Sequence, residues 1–177
     1  MMWTHTLLQA FLIMILAFCG CSQGPSWPSV KEMVRRDFPD VEHVSADELS
    51  RLMATEPENA PILLDVREEA EYAVSHLPRA VRVQPGTDTS AFLDTLDHDA
   101  AIVAYCSVGY RSAELVNKLR ERGFTNIRNL EGSIFGWANG GRSVQRDGRS
   151  VEEVHPFDEQ WGKLLRKDLH AYEPSSN

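Results

Sequence analysis

The feature that most constrains the fold is a short apolar segment, AAIVAY, at residues 100–105. It shows no alternation of polar and apolar residues, which is typical of a strand covered on both faces in a parallel sheet. A second segment of this kind, PILLDV, occupies residues 61–66. Because segments of helical composition separate the predicted strands, we predict an α/β fold with a mainly parallel central sheet and helices on both faces.

This fold class predicts where a ligand binds. In open parallel sheets, ligands bind outside the carboxyl ends of the strands. Asp65 and Cys106 both stand at such ends, next to the two apolar segments. We therefore expect a functional site at that edge of the sheet.

The other segments continue the alternation of strands and helices. Ser45 and Glu48 are spaced as a capping box at the start of one helix, and Gly123 is placed to end another. The remaining predicted elements are a helix at 30–38 that stops before Pro39, a strand and helix within 41–54, helices at 67–74, 89–97, 112–122 and 133–141, and strands at 80–83 and 125–132.

The tail from Arg142 differs in composition from the segments before it. Asp147-Gly148 lies between short β-prone segments, which predicts a hairpin. Residues 156–172 predict a helix with a buried stripe of Trp161, Leu164, Leu165 and Leu169. We expect the His155–Phe157 segment and Trp161 to pack against the domain rather than form a second site.

The N-terminal segment predicts export. Leu7 to Phe18 is an apolar run with the length of a signal-peptide h-region, shorter than the roughly 20 residues of a membrane span. Gly20 followed by Cys21 resembles the lipobox of bacterial lipoproteins, so Cys21 is a candidate for lipidation and membrane anchoring in the cell envelope or periplasm. An uncleaved hydrophobic anchor, or ordinary cleavage with an unmodified Cys21, remains open.

These segments divide the chain into four parts. We expect a signal peptide at 1–20, a lipid-anchored N-terminal segment at 21–43 whose residues 22–29 form a flexible tether, a central domain at 44–141 and a C-terminal extension at 142–177. Of the cysteines, Cys19 would leave with the signal and Cys21 would carry lipid. Cys106 would then be the one free thiol of the mature protein, in a compartment where cysteines normally pair.

The overall charge argues against one class of partner. A formal net charge of -8 argues against nucleic-acid binding, which requires a basic surface. A local basic pocket for a small anion is compatible with this charge. The oligomeric state is not predicted.

The segment CSVGYRS gives Cys106 the surroundings of a nucleophile. A strand ending at Tyr105 and a helix beginning near Ser112 leave Cys106–Arg111 as a loop over the helix N-terminus, where free N–H groups and the helix dipole favour a thiolate. Gly109 permits a positive φ, and Arg111 adds a fixed charge suited to an oxyanion. The alternative from this loop alone is a buried strand-end cysteine beside a solvated arginine.

At this point the sequence resembles a known family. IVAYCSVGYRSAELVNKLRERGFTNIRNLEGSIFGWANGG looks like the second half of a single-domain rhodanese, a sulfurtransferase, and LLDVREEAEYAVSHLPRAVRV looks like its first half. The resemblance covers about residues 44–141. It implies the rhodanese-like fold, no cofactor, no metal, and two small partners, a sulfur-containing anion and a thiol acceptor.

The resemblance also implies roles for individual residues. Cys106 would be the catalytic nucleophile that carries a persulfide. Asp65 and Arg67 would support the site, and His76 would make a structural hydrogen bond in a turn. The loop residues expected to bind the substrate are Ser107, Val108, Gly109, Tyr110 and Arg111.

Three positions depart from the family pattern. Ser75 and Arg79 replace the two glycines usual around the His76 turn, so its conformation is expected to differ. Ser107 stands where members that prefer thiosulfate often carry arginine. The identity of the sulfur donor is therefore left open.

Two other functions compete with sulfur transfer. A cysteine-dependent phosphatase or arsenate reductase would use a similar loop, but with one more residue between the cysteine and the arginine than this C-x4-R segment has. A non-catalytic or regulatory binding module at the membrane is the other alternative.

Overall fold

The computed structural model describes residues 24–83 and 89–175. In these residues five strands form one parallel sheet in the order β1-β5-β4-β2-β3. The strands are β1 (His43–Val44), β2 (Ile62–Asp65), β3 (Val81–Arg82), β4 (Ile102–Tyr105) and β5 (Ile127–Leu130). The predicted α/β fold with a parallel central sheet is confirmed.

Helices flank this sheet. They are α1 (Trp27–Asp37), α2 (Ala46–Thr55), α3 (Glu69–Val74), α4 (Thr89–Leu93), α5 (Tyr110–Glu121) and α6 (Ser133–Asn139). The helix α1 ends before Pro39, as predicted, and Gly123 adopts a left-handed φ of 98° just past α5.

The apolar segment at residues 100–105 becomes the central strand. All four residues of β4 are buried, and the strand pairs with β2 on one side and β5 on the other. Because these strands are parallel, their carboxyl ends lie side by side. Cys106 follows β4 directly and therefore emerges at the middle of this edge.

The N-terminal segment differs from its prediction. Residues 27–29, assigned to the flexible tether, lie in the first turn of α1. Ser26 caps this helix through a reciprocal pair of hydrogen bonds with Ser29, and Pro28 fits the first turn, where its missing N–H costs nothing. The predicted signal peptide and Cys21 lie outside the described residues.

The predicted capping box of α2 is only half present. The Ser45 hydroxyl accepts a hydrogen bond from the Glu48 N–H at 3.1 Å. The Glu48 carboxylate instead accepts one from Nη1 of Arg128 at 2.8 Å, which ties α2 to β5.

The hairpin of the tail is confirmed. Strands β6 (Val144–Arg146) and β7 (Arg149–Val151) pair antiparallel. Asp147 and Gly148 both adopt a left-handed φ, at 51° and 73°. This is the conformation that a two-residue turn between twisted strands requires.

The predicted helix at residues 156–172 is wrong. The segment forms two short 3-10 helices, Trp161–Leu164 and Lys167–Leu169, with an extended Leu165 between them. Asn139 at the end of α6 explains the break, because its side chain donates to the Leu164 carbonyl at 2.7 Å and accepts from the Arg166 N–H at 2.9 Å. These tertiary hydrogen bonds outweigh the local helical pattern.

The tail belongs to the same hydrophobic core as the sheet. Its buried apolar residues are Val144, Val154, Leu164, Leu165 and Leu169. From the other end of the chain, Val30 and Val34 of α1 join this core. Within residues 24–83 and 89–175, no helix has the length and apolar character needed to cross a bilayer.

We predict that Leu165→Ala lowers the free energy of unfolding of the full-length protein by about 2–5 kcal/mol, because it leaves a cavity in this shared core. Chemical denaturation followed by tryptophan fluorescence measures the change. Tyr172→Ala, a substitution at an exposed tail residue, is the control and should have little effect. If both variants unfold like the parent protein, the tail does not share the core.

Candidate active site

The Cys106 loop is shaped by Gly109. This residue precedes α5 with a φ of 113°, a conformation that residues with a side chain rarely adopt. Its carbonyl accepts a hydrogen bond from the Asn129 side chain at 3.0 Å, and Asn129 is itself buried on β5. The turn therefore brings the first N–H groups of α5 beneath the cysteine.

The start of α6 holds the other side of the loop. The carbonyls of Cys106 and Ser107 each accept a hydrogen bond at 3.1 Å, from the N–H groups of Ile134 and Phe135. The Cys106 N–H donates to the Ser133 hydroxyl, also at 3.1 Å. The N–H groups in the first turn of α6, which have no partner within that helix, therefore hold the loop that leads into α5.

The sulfur of Cys106 lies in surroundings that favour its charged form. Cys106 is 1% exposed, and its Sγ accepts a hydrogen bond from the Gly109 N–H at 3.1 Å. Burial raises the pKa of the thiol, but the charge of Arg111 and hydrogen bonds from Ser112 and Gly109 outweigh it, so the pKa lies below its ordinary value. The Ser112 hydroxyl is buried and makes no hydrogen bond in the structure, so it is free to turn towards the sulfur.

The guanidinium of Arg111 is held by Glu71 of α3. Nη1 and Nη2 of Arg111 donate to the two carboxylate oxygens of Glu71, each at 2.9 Å. The Ser107 hydroxyl donates to the same carboxylate at 2.6 Å and accepts from Nη2 of Arg111 at 3.0 Å. These three side chains form one closed hydrogen-bond network.

Glu71 carries its negative charge inside the protein. Its side chain is 2% exposed, against 30% for Arg111. Burial raises the pKa of Glu71, but the hydrogen bonds and charge of Arg111, with further hydrogen bonds from Ser107 and the Glu68 N–H, bring it below the ordinary value. Arg111 therefore acts on Cys106 as a fixed cation whose own charge is already balanced by Glu71.

Asp65 and Arg67 form a buried ion pair of their own. Nε of Arg67 donates to Oδ1 of Asp65 at 2.9 Å, and Nη2 donates to Oδ2 at 2.7 Å. The same Nη2 donates to the Ser75 carbonyl at 2.6 Å, and both side chains are fully buried. The pair ties the end of β2 to the turn after α3, a supporting position.

The turn around His76 is pinned by the tail. The His76 backbone forms an antiparallel bridge with Gln145, and its ring stacks on Tyr72 at 4.0 Å. The Ser75 hydroxyl donates to the Glu153 carbonyl, and Arg79 adopts a φ of 65° at the second expected glycine position. The substitution at position 75 thus supplies a contact with the tail, and position 79 keeps the backbone conformation of a glycine.

A pocket of about 260 Å³ opens over the cysteine. Its walls are mainly apolar, and they come from α1, the Cys106 loop, the first turn of α5 and the tail. The residues that line it are Met33, Cys106, Ser107, Val108, Tyr110, Arg111, Phe157 and Trp161. The structure thus places four of the five predicted binding residues around the pocket with Cys106, and Gly109 contributes its N–H to the sulfur.

The sequence pattern missed several residues of this site. Glu71 lies in the acidic segment EEAEY, which reads as a solvated helix face. Met33 lies outside the predicted domain, and no local signal directs it to the pocket. Phe157 and Trp161 were expected to pack against the domain, yet both also form pocket walls. Ser112 and Ser133 stand at the predicted starts of two helices, but no pattern in the sequence indicates that they lie beside Cys106.

The described part of the chain contains no group of side chains that could hold a metal ion.

The sequence from 45 to 140, more than half of the chain, matches the family model described as a rhodanese-like domain. The chain belongs to the rhodanese-like domain family. Among solved structures, a rhodanese-related protein from Thermoplasma volcanium is similar, with a TM-score of 0.51, 26% identity, and coverage of 59% of this chain and 97% of that one. The rhodanese-like domain of an Anabaena protein has a TM-score of 0.53 and 25% identity, covering 60% and 80% of the two chains.

A similar curated protein is a tRNA uridine(34) hydroxylase from Sodalis glossinidius, 27% identical over 135 residues. The match covers 73% of this chain and 38% of that protein. The chain therefore spans well under half of that relative. Met33, Phe157 and Trp161 lie outside the residues matched by the rhodanese-like model.

We predict that Arg111→Gln raises the pKa of Cys106, because it removes the nearby charge that stabilises the thiolate. The ultraviolet absorbance of the thiolate, titrated with pH and corrected with a Cys106→Ser variant, measures the shift. At a pH just above the parent midpoint, the variant should hold less thiolate.

Two variants serve as controls for this titration. Arg111→Lys keeps the charge and should hold the midpoint below that of Arg111→Gln, whereas Arg122→Gln removes a surface arginine and should leave it unchanged. Equal midpoints for Arg111→Gln and the parent protein would refute the role of Arg111.

Proposed function

We propose that the protein is a sulfurtransferase that moves a sulfane sulfur from a donor to a thiol acceptor through a persulfide on Cys106. The observation that carries this proposal is the position of the Cys106 sulfur at the N-terminus of α5. There it accepts the Gly109 N–H, and Arg111, Ser112 and Gly109 lower its pKa. The thiolate is the form of cysteine that attacks sulfur, and a lowered pKa increases the fraction of thiolate at neutral pH.

The reaction takes two displacements. The Cys106 thiolate attacks the outer sulfur of the donor, a new S–S bond forms, and the donor fragment leaves with the electron pair of the broken bond. The persulfide anion that results takes the place of the thiolate at the N–H groups of the loop. An acceptor thiolate then attacks the outer sulfur, and Cys106 returns to its starting state.

Glu71 does not act as an acid in this scheme. Its low pKa keeps it ionised, and its carboxylate oxygens are engaged by Arg111, Ser107 and the Glu68 N–H. Its role is to position Arg111 and the loop. Each displacement starts from an anionic nucleophile and releases an anionic leaving group, so no proton donor is required.

The pairing of Arg111 weighs against the phosphatase alternative. A phosphate or arsenate dianion requires free positive charge, and the Arg111 fork is occupied by Glu71. The C-x4-R loop is also one residue shorter than that of cysteine-dependent phosphatases. The net charge of -8 likewise gives no support to a tRNA substrate of the kind named for the curated relatives.

We predict that the full-length protein gains the mass of one sulfur atom on Cys106 when it is incubated with a sulfane donor. Mass spectrometry of the intact protein and of the Cys106 peptide measures the gain, and a reducing thiol should reverse it. Ser112→Ala should load more slowly at neutral pH, because it removes a donor that lowers the pKa of Cys106.

Cys106→Ser is the matched control, since it changes no other cysteine of the sequence. It should gain no sulfur and form no thiocyanate from cyanide. An unchanged mass of the parent protein across several donors would overturn the sulfurtransferase proposal in favour of a binding module.

We propose separately that the chain is exported and held at a membrane of the cell envelope through lipid on Cys21. The apolar run before Gly20-Cys21 supports this proposal. In bacterial cells, Cys21→Ser should leave the membrane fraction, and Cys19→Ser should stay there. Retention of Cys21→Ser in the membrane would contradict lipid anchoring at this residue.

A further inference from the structure

We propose that the substrate of this site is an organic sulfur compound whose apolar substituent fills the pocket over Cys106, rather than a small inorganic dianion such as thiosulfate. This inference rests on the proposed sulfur transfer and adds the class of donor. Three features of the pocket carry it.

The first feature is the origin of its apolar walls. Met33 comes from α1, and Phe157 and Trp161 come from the tail. All three lie outside the matched domain at 45–140, which supplies the nucleophile and its loop. The segments added to the domain therefore line the space in front of the sulfur with apolar side chains.

The second feature is the size of the pocket. A dry apolar cavity of about 150 Å³ is large enough to take up benzene. The pocket here measures about 260 Å³, so it accommodates one aromatic or branched group with the reacting sulfur. Thiosulfate would leave much of this apolar surface in contact with water.

The third feature is the charge balance. Arg111 is the one formally positive residue among those that line the pocket, and Glu71 neutralises it. When Cys106 is a thiolate, these three groups together carry a net negative charge. A donor with two negative charges is repelled, whereas a donor with a single charge on the transferred sulfur is served by the N–H groups of the loop.

Phe157 is placed for contact with a ligand. Its φ of 68° is uncommon for a bulky residue, and its N–H donates to Nδ1 of His155 at 3.0 Å. The ring lies 4.9 Å from the Arg111 guanidinium, yet 40% of the residue remains exposed. Phe157 thus lines the same pocket as Cys106 while part of its apolar surface stays in contact with water. An apolar group that enters the pocket would bury this surface, which favours binding.

A thiosulfonate donor makes the chemistry explicit. The Cys106 thiolate attacks the outer sulfur of R–SO2–S⁻, the bond between the two sulfur atoms breaks, and the sulfinate R–SO2⁻ leaves with the electron pair. The product is the Cys106 persulfide anion. The thiolate anion of Cys106 becomes a persulfide anion, and the thiosulfonate anion becomes a sulfinate anion. Atoms, electrons and charge therefore balance without a co-reactant.

The test compares three donors on the full-length protein: benzenethiosulfonate, methanethiosulfonate and thiosulfate, with cyanide as acceptor and thiocyanate as readout. The first two share charge and reacting group and differ in the apolar substituent. We expect kcat/KM for benzenethiosulfonate to exceed that for methanethiosulfonate by about tenfold or more. We expect thiosulfate to be the poorest donor.

Pocket variants separate this preference from the intrinsic reactivity of the donors. In Phe157→Ala and, independently, in Met33→Ala, the ratio of the two thiosulfonate kcat/KM values should fall several-fold. Lys167→Ala, at an exposed residue of the same tail that does not line the pocket, should keep the parent ratio.

The outcomes distinguish the two proposals. If thiosulfate is the best donor, or if both pocket variants keep the parent ratio, the substrate class is wrong while sulfur transfer stands. If no donor loads sulfur onto Cys106, sulfur transfer itself fails and the substrate class fails with it.

Discussion

The ion pair between Glu71 and Arg111 is the interaction on which the site depends. It joins α3 to α5, takes in the Ser107 hydroxyl, and fixes a positive charge near the Cys106 sulfur. Glu71 is buried, so loss of Arg111 would leave a charge without a partner inside the protein, which is far more costly than loss of a surface pair. The same pairing uses up the positive charge that a dianionic ligand would need. The lowered pKa of Cys106 and the proposed preference against dianionic donors therefore depend on the same contact.

The parallel sheet determines where this contact can form. Cys106 leaves the carboxyl end of β4, between β2 and β5, and the start of α6 binds its loop from the other side. The rhodanese-like domain thus supplies the nucleophile and its hydrogen bonds. The helix before it and the tail after it share its hydrophobic core and supply the apolar walls of the pocket. The candidate nucleophile therefore comes from the rhodanese-like domain, whereas the residues proposed to select the donor come from the segments on either side of it.

The parts that local sequence determines could be predicted. The unbroken apolar character of residues 100–105 indicated a buried parallel strand, and Asp147-Gly148 indicated a tight turn, because both signals act over a few residues. The helix at 156–172 failed because Asn139, distant in sequence, binds the backbone at Leu164 and Arg166. The role of Glu71 could not be predicted for a similar reason, since only the fold brings it into contact with Arg111. Where contacts between distant segments determine the secondary structure or the site residues, a local sequence pattern does not predict them.

The central claim is that the Cys106 thiolate, stabilised by this loop and by Arg111, is the group that accepts sulfur. The most direct measurement is the rate of sulfur loading on Cys106 as a function of pH, set beside the thiolate absorbance of the same protein. The account predicts that both follow one midpoint, below the ordinary thiol pKa of about 8.5. A loading rate that keeps rising with the pH dependence of an unperturbed thiol would contradict it.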